Sequence, residues 1–155
     1  MKKRNYLLWI PVVEAVGALS GFLSRTGTRI YGETIQKPSL SPTAIAFPIV
    51  WTILFALMGF GAARIAASPE GRDRSRALNV FVIQLTVHFF WSLIFFNAQA
   101  FAFAFFWLLI LWLLIVIMIV FFSGIDCLAA LLQIPYLLWV TFAGYLNYGV
   151  WQLNR

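Results

Sequence analysis

The run FAFAFFWLLILWLLIVIMIVFF, Phe101 to Phe122, is 22 residues long and holds no polar side chain beyond the indoles of Trp107 and Trp112. At 1.5 Å per residue a helix of that length covers roughly 33 Å, about the thickness of a bilayer's hydrocarbon core. It is apolar on every face, so the alternation that marks a transmembrane β-strand is absent. This stretch makes lipid the solvent of the chain.

The regions on either side agree. Ala77 to Ile125 is a block of 49 residues without Asp, Glu, Lys or Arg, too long for one helix, and Asn97-Ala98-Gln99 supplies a tight turn inside it. Pro38 to Ala63 is uncharged for 26 residues and Cys127 to Asn154 for 28. Tyr6 to Leu23 is a weaker apolar run interrupted by Pro11 and Glu14. The expectation is an all-α integral membrane protein, a bundle of five transmembrane helices near residues 6–24, 45–66, 78–97, 101–122 and 128–151, packed as one membrane domain over 1–155. A cleaved signal peptide is the alternative for the first run, since Lys2, Lys3 and Arg4 precede it; against this, the run is about 18 residues and no clear small-x-small site precedes Arg25.

Composition concurs. Of 155 residues 63% are hydrophobic and 10% charged, and 16 Phe, 7 Trp and 5 Tyr outnumber the charged residues, too few to coat a soluble globule. The net charge of +6 comes from residues scattered between apolar runs, which reads as membrane flanks and argues against nucleic acid as a partner. Lys2, Lys3, Arg4, Arg64, Arg72, Arg74 and Arg76 fall on one side of the expected topology, and Arg25, Arg29, Lys37 and Arg155 on the other, which favours a cytoplasmic N-terminus. A single cysteine, Cys127, excludes an internal disulfide framework and any multi-cysteine metal site.

Polar side chains in hydrocarbon are costly and should face the bundle interior. Gln84, His88 and Ser92 recur at i, i+4 and i+8 in the third span with Trp91 beside them, and Trp139, Ala143, Leu146 and Val150 form a second stripe in the fifth, adjoined by Asn147. Each can mark a ligand pocket or serve interhelical contact alone. Trp51 and Phe55 share a face near the start of the second span, where Trp is equally an interfacial anchor. Ala143 and Gly144 would leave room for a flat ligand or let helices approach closely. A lone His88, with no second His or Cys at ligand spacing, is more often a satisfied interior residue than a metal ligand, so no metal site is expected. Glu14 is a carboxylate within an apolar run; it either carries protons or pairs with a loop cation or stays protonated. The connection from Ser24 to Ala46 is stiffened by Pro38 and Pro42 and is a candidate lid. No catalytic constellation emerges. What remains is an aromatic cavity suited to a flat apolar molecule, with Gln84, His88 or Asn147 fixing its orientation.

Lys37-Pro38-Ser39 followed by Pro42, Val50-Trp51-Thr52-Ile53-Leu54-Phe55, Trp91-Ser92-Leu93-Ile94-Phe95-Phe96, and Ile134-Pro135-Tyr136-Leu137-Leu138-Trp139 with Phe142-Ala143 and Leu146-Asn147-Tyr148 resemble the TspO/translocator-protein family, also called the peripheral benzodiazepine receptor family, over nearly the whole chain. The resemblance implies a dimeric five-helix bundle with a pocket under the first loop for porphyrins, haem and related tetrapyrroles, and in many members sterols and drug-like ligands. It requires no cofactor. Carried over by motif, the pocket is lined by Trp51, Phe55, His88, Trp91, Ser92, Trp139, Ala143 and Leu146. The implied roles are tetrapyrrole sensing, transport or disposal; the alternatives are light-dependent porphyrin degradation and a small proton-coupled exporter using Glu14. The chain departs from the family pattern at Leu40, where Trp is usual, at Thr43 after Pro42, at His88, where Asn is common and where axial coordination of a metalloporphyrin becomes conceivable, and at Tyr31, one place from the family's loop tyrosine. The sterol pattern at the C-terminus fails, because six residues separate Tyr148 from Arg155. Gly17-Ala18-Leu19-Ser20-Gly21 offers a small-residue face for a homodimer or for packing within one chain, and the absence of an organelle-targeting pattern leans toward a bacterial cell membrane.

Overall fold

The computed structural model describes residues 2–155, with the side chains of Lys2–Arg4 outside the description, so that part of the charge count has no structural counterpart here. Among the described residues seven α-helices follow one another: α1 Lys2–Leu23, α2 Arg25–Thr34, α3 Ala46–Ala66, α4 Arg72–Ser92, α5 Phe101–Ser123, α6 Cys127–Leu131 and α7 Ile134–Leu153; a π-helical turn, Leu93–Asn97, extends α4. No strand occurs among the described residues. Among the described residues five segments are long and apolar enough to cross a membrane: Asn5–Leu23, Ala46–Ala66, Arg72–Asn97, Phe101–Ser123 and Cys127–Leu153. The third begins well before position 78, because the helix continues past the apolar block through a charged first turn, where Asp73 suits the positive end of the helix dipole.

Two features depart from the sequence expectation. The connection after Ser24 is half helix: α2 buries Gly27 and Tyr31, one turn apart, and leaves its other faces exposed. Tyr31 packs between Phe95 and Phe96 at centroid distances of 5.4 and 5.3 Å, and a side chain on Gly27 would strike the backbone of Phe96. The fifth span is also broken, at Leu132-Gln133 between α6 and α7. Pro135 is the cause: it has no N–H to give a carbonyl one turn back, so it fits the first turn of a new helix and not the interior of a continuous one.

Small residues on α3 set the helix spacing. A side chain on Gly59 would collide with the backbone of Ile10 on α1, and one on Gly61 with the amide of Gln133, so α1 packs closely along α3. On α5 the buried positions Ala104, Leu108, Leu111, Ile115, Met118 and Phe122 form the inward seam, against α4 and α7. Trp indoles tie these helices together: Trp107 donates to the Val87 carbonyl at 2.7 Å and Trp112 to the Thr141 hydroxyl at 2.9 Å. At the end bearing Arg72, Arg64 binds Asp126 through Nε at 2.9 Å and Nη2 at 2.8 Å, while Asp126 Oδ1 caps α6 by accepting from the Ala129 N–H at 3.1 Å. Burial works against the charge on Asp126, but the hydrogen bonds from Arg64 and the α6 backbone outweigh it and hold its pKa below the ordinary aspartate value.

Candidate functional site

At the opposite end of the bundle, under α2 and the Lys37–Pro42 segment, lies a cavity of about 730 Å³. That volume is in the range of small-molecule sites. Its aromatic wall grows from the second-span motif. Trp51 and Phe55, one turn apart on α3, stack at 5.6 Å and 29°. The Trp51 ring also meets His88 at 4.6 Å and Trp139 edge-on at 6.3 Å, and Phe47 meets Trp139 at 6.2 Å. Trp51 is therefore an inward residue and not an interfacial anchor.

The polar residues separate by role. Trp91 donates its indole N–H to Asn147 Oδ1 at 3.1 Å, and the Asn147 amide donates to the Phe101 carbonyl at 2.8 Å; the two form one braced wall joining α4, α5 and α7. Nine of the ten residues singled out in the sequence line the cavity: Trp51, Phe55, His88, Trp91, Ser92, Trp139, Ala143, Leu146 and Asn147. Gln84 does not. It sits a turn below His88, fully buried, where it accepts a hydrogen bond from the Tyr136 hydroxyl at 2.7 Å. Ala143 opens onto the cavity, whereas a side chain on Gly144 would press on Leu108 of α5 at 3.1 Å, so that glycine serves helix packing.

Sequence reasoning missed the α1 and α2 side. Glu14, Gly17, Ser20 and Ser24 line the cavity, as do Arg25 and Tyr31. The signal for α1 was present in the small residues at Gly17, Ser20 and Ser24, three to four apart. The Gly17 face packs within the chain, since a side chain there would overlap the Phe55 ring. Ser20 donates to the Phe89 carbonyl at 3.2 Å, and Ser24 to the Ser20 carbonyl at 2.7 Å. Glu14 makes no ion pair among the described residues. The π-helical turn contributes Phe95 and Phe96; its extra residue per turn lets them face the cavity together with Trp91 and Ser92.

The covering segment is pinned to α7. The Gln36 N–H donates to Asn154 Oδ1 at 3.0 Å and Asn154 Nδ2 returns a bond to the Gln36 carbonyl at 2.8 Å. Tyr145 donates to the Ser39 carbonyl at 2.9 Å, and Pro38 lies on Gly149 so closely that a side chain there would meet its ring at 2.7 Å. Leu40, in the same segment, takes a left-handed φ of 69°. Cations stand at the mouth: Arg25 donates to the Phe22 carbonyl at 2.7 Å, and Lys37 Nζ lies 5.0 Å over the Tyr31 ring. Burial raises the pKa of Tyr31, so the phenol stays neutral.

Chemically the cavity is a ring-lined slot with a few polar groups and cations at its edge, the make-up typical of small-molecule sites. Among the described residues no group of three His, Cys, Asp or Glu side chains is placed to hold a metal ion. A model of the TspO/MBR family matches residues 9–152. The chain is 36% identical over 79% of its length to protein CrtK of Rhodobacter capsulatus, covering 77% of that protein. It is 35% identical over 95% of its length to the tryptophan-rich protein TspO of Chlorobaculum tepidum, covering 94% of it, and 30% identical over 95% of its length to the translocator protein of Bos taurus, covering 92% of it.

Proposed function

The chain belongs to the TspO/MBR family, and from that premise we propose that it binds porphyrins and related tetrapyrroles in the cavity beneath α2, in tetrapyrrole sensing, transport or disposal. The single observation that carries this reading is the joining of Trp51, Phe55, Trp139 and Trp91 from three helices around one cavity of about 730 Å³. A flat macrocycle buries its faces against such rings, and Arg25 and Lys37 at the mouth complement carboxylates on its edge. Sterols and drug-like ligands share the need for an apolar slot but have no acidic edge to use that rim. The bacterial relatives support a bacterial cell membrane as the setting, and the homodimer remains part of this proposal.

Titration of the purified protein with protoporphyrin tests it through quenching of tryptophan fluorescence. Trp51→Phe and Trp139→Phe should each weaken binding by a few fold, the loss of about 0.5–1.5 kcal/mol expected of one aromatic contact. Binding as tight as the parent's in both variants would place the ligand elsewhere. A second reading, proton-coupled export, is supported by Glu14 on the cavity wall with no ion pair among the described residues. Vesicle transport insensitive to Glu14→Gln would remove that support. Light-dependent degradation draws on the Trp51–Trp139 contact and demands a defined product that heat-denatured protein fails to make.

A further inference from the structure

A second, smaller cavity of about 160 Å³ lies at the basic end of the bundle, lined by Asp73 and Arg76 near the start of α4 and by Val120, Phe121, Gly124 and Ile125 at the end of α5. It is too small for a drug-sized molecule, and it sits where two spans, Arg72–Asn97 and Phe101–Ser123, leave the membrane. What adjoins it there is the headgroup layer of the lipid. Neither Asp73 nor Arg76 makes an ion pair among the described residues, where the pairs are Arg64–Asp126 and Arg74–Glu70. Gly124 keeps the space open. Its φ of −73° suits any residue, and a Cβ there would meet only the Phe121 carbonyl, at 3.6 Å, so neither backbone conformation nor close packing calls for glycine. Towards the bilayer interior the same two faces turn apolar: Val80 and Ile83 follow Arg76 on α4, and Ile117 and Leu113 precede Phe121 on α5. Ile83, Ile117 and Leu113 are exposed.

We propose that this groove is a binding site for one phosphatidylethanolamine, its phosphate on Arg76, its ammonium on Asp73 and an acyl chain along the apolar faces of α4 and α5. The charges select the headgroup. One cation and one anion, both free of protein partners, complement a zwitterion whose phosphate accepts from a guanidinium and whose ammonium donates to a carboxylate. The carbonyl end of α5 adds a second preference for a cation at the same place. Phosphatidylglycerol offers the phosphate but nothing for Asp73, and its negative charge is repelled there. Phosphatidylcholine carries the positive charge without an N–H to donate. The site is separate from the cavity beneath α2, which opens at the opposite end of the bundle, and it holds whatever that cavity binds.

The test is native mass spectrometry of the full chain in detergent, titrated with phosphatidylethanolamine, phosphatidylglycerol and phosphatidylcholine of identical acyl chains. The parent should retain its first phosphatidylethanolamine about three- to fivefold more tightly than either of the others, the effect of one interfacial charge pair. Asp73→Asn should reduce phosphatidylethanolamine to the level of phosphatidylcholine, and Arg76→Gln should weaken all three lipids. Gly124→Leu fills the groove without changing a charge and should weaken phosphatidylethanolamine as well; it carries the comparison if Asp73→Asn, in the first turn of α4, fails to fold. Equal retention of the three lipids by the parent, or a preference for phosphatidylglycerol, overturns the assignment. So does a phosphatidylethanolamine preference that survives in Asp73→Asn and Gly124→Leu, which would place the headgroup elsewhere on the chain.

Discussion

Gly17 has no side chain because the Phe55 ring occupies the space one would need, and Phe55 in turn packs on Trp51 and His88. A branched residue at position 17 therefore pushes on the whole aromatic wall. Gly17→Val should destabilise the bundle by about 1–3 kcal/mol, the usual effect of overpacking, and lower porphyrin affinity as well; a thermal melt in detergent and the quenching titration read the two effects. Gly21→Ala, where a Cβ meets nothing within 4 Å, is the control and should not lower the melt, since alanine is the better helix former. At this scale the sequence is partly legible. Gln84, His88 and Ser92 stand out because polar side chains in an apolar run must face inward. Which of them is already satisfied is invisible, because the partner of Gln84 is Tyr136, 52 residues away in the chain. Gly17 is legible as a site of close approach, but the identity of what approaches it belongs to the tertiary structure.

The short helix α6 depends on one carboxylate. Asp126 caps it and holds Arg64 of α3, and its pKa is lowered in the folded protein. A depressed carboxylate pKa contributes stability that is fully present above the unfolded value, about 3.9 for Asp, and that is lost as pH falls through the folded value. The melting temperature should therefore fall on acidification below about pH 4, and Asp126→Asn should remove that component of the pH dependence, at a cost of about 1 kcal/mol or more near neutral pH from the lost ion pair. Melts recorded across the acid range for both proteins check this; parallel curves would assign the acid sensitivity to another group. Among the elements, the long spans are legible because an uncharged run that long has few other folds open to it. The helix α2 is not, since its apolar stripe is only Gly27 and Tyr31, and the α6–α7 break is written in Pro135 but concealed by the apolar residues around it. On α5 every face is apolar, so its existence is certain from the sequence while its buried seam is set by its neighbours.

Seen whole, the molecule is polarised. The starts of α1 and α4 and the end of α3 lie at one end with the larger share of basic residues, and the cavity lies at the other with α2 and the end of α7. On the positive-inside rule the expectation is that the cavity faces away from the cytoplasm. Cys127, exposed at the start of α6 on the basic end, should react with an impermeant thiol reagent only when it is supplied from the cytoplasmic face, and Ser39→Cys in a Cys127→Ser background only from the opposite face; the reverse pattern would invert the topology. That two-ended layout follows from counting charges, whereas the cavity's cover does not, because it depends on residues near the last helix meeting the first connection. Asn154 grips the main chain of residue 36, both its N–H and its carbonyl, and never touches the glutamine side chain in that grip. The mutational tolerance of the two positions should accordingly be lopsided: a saturation library scored by ligand retention would accept nearly every residue at 36 except proline, which has no N–H to offer, and reject most at 154.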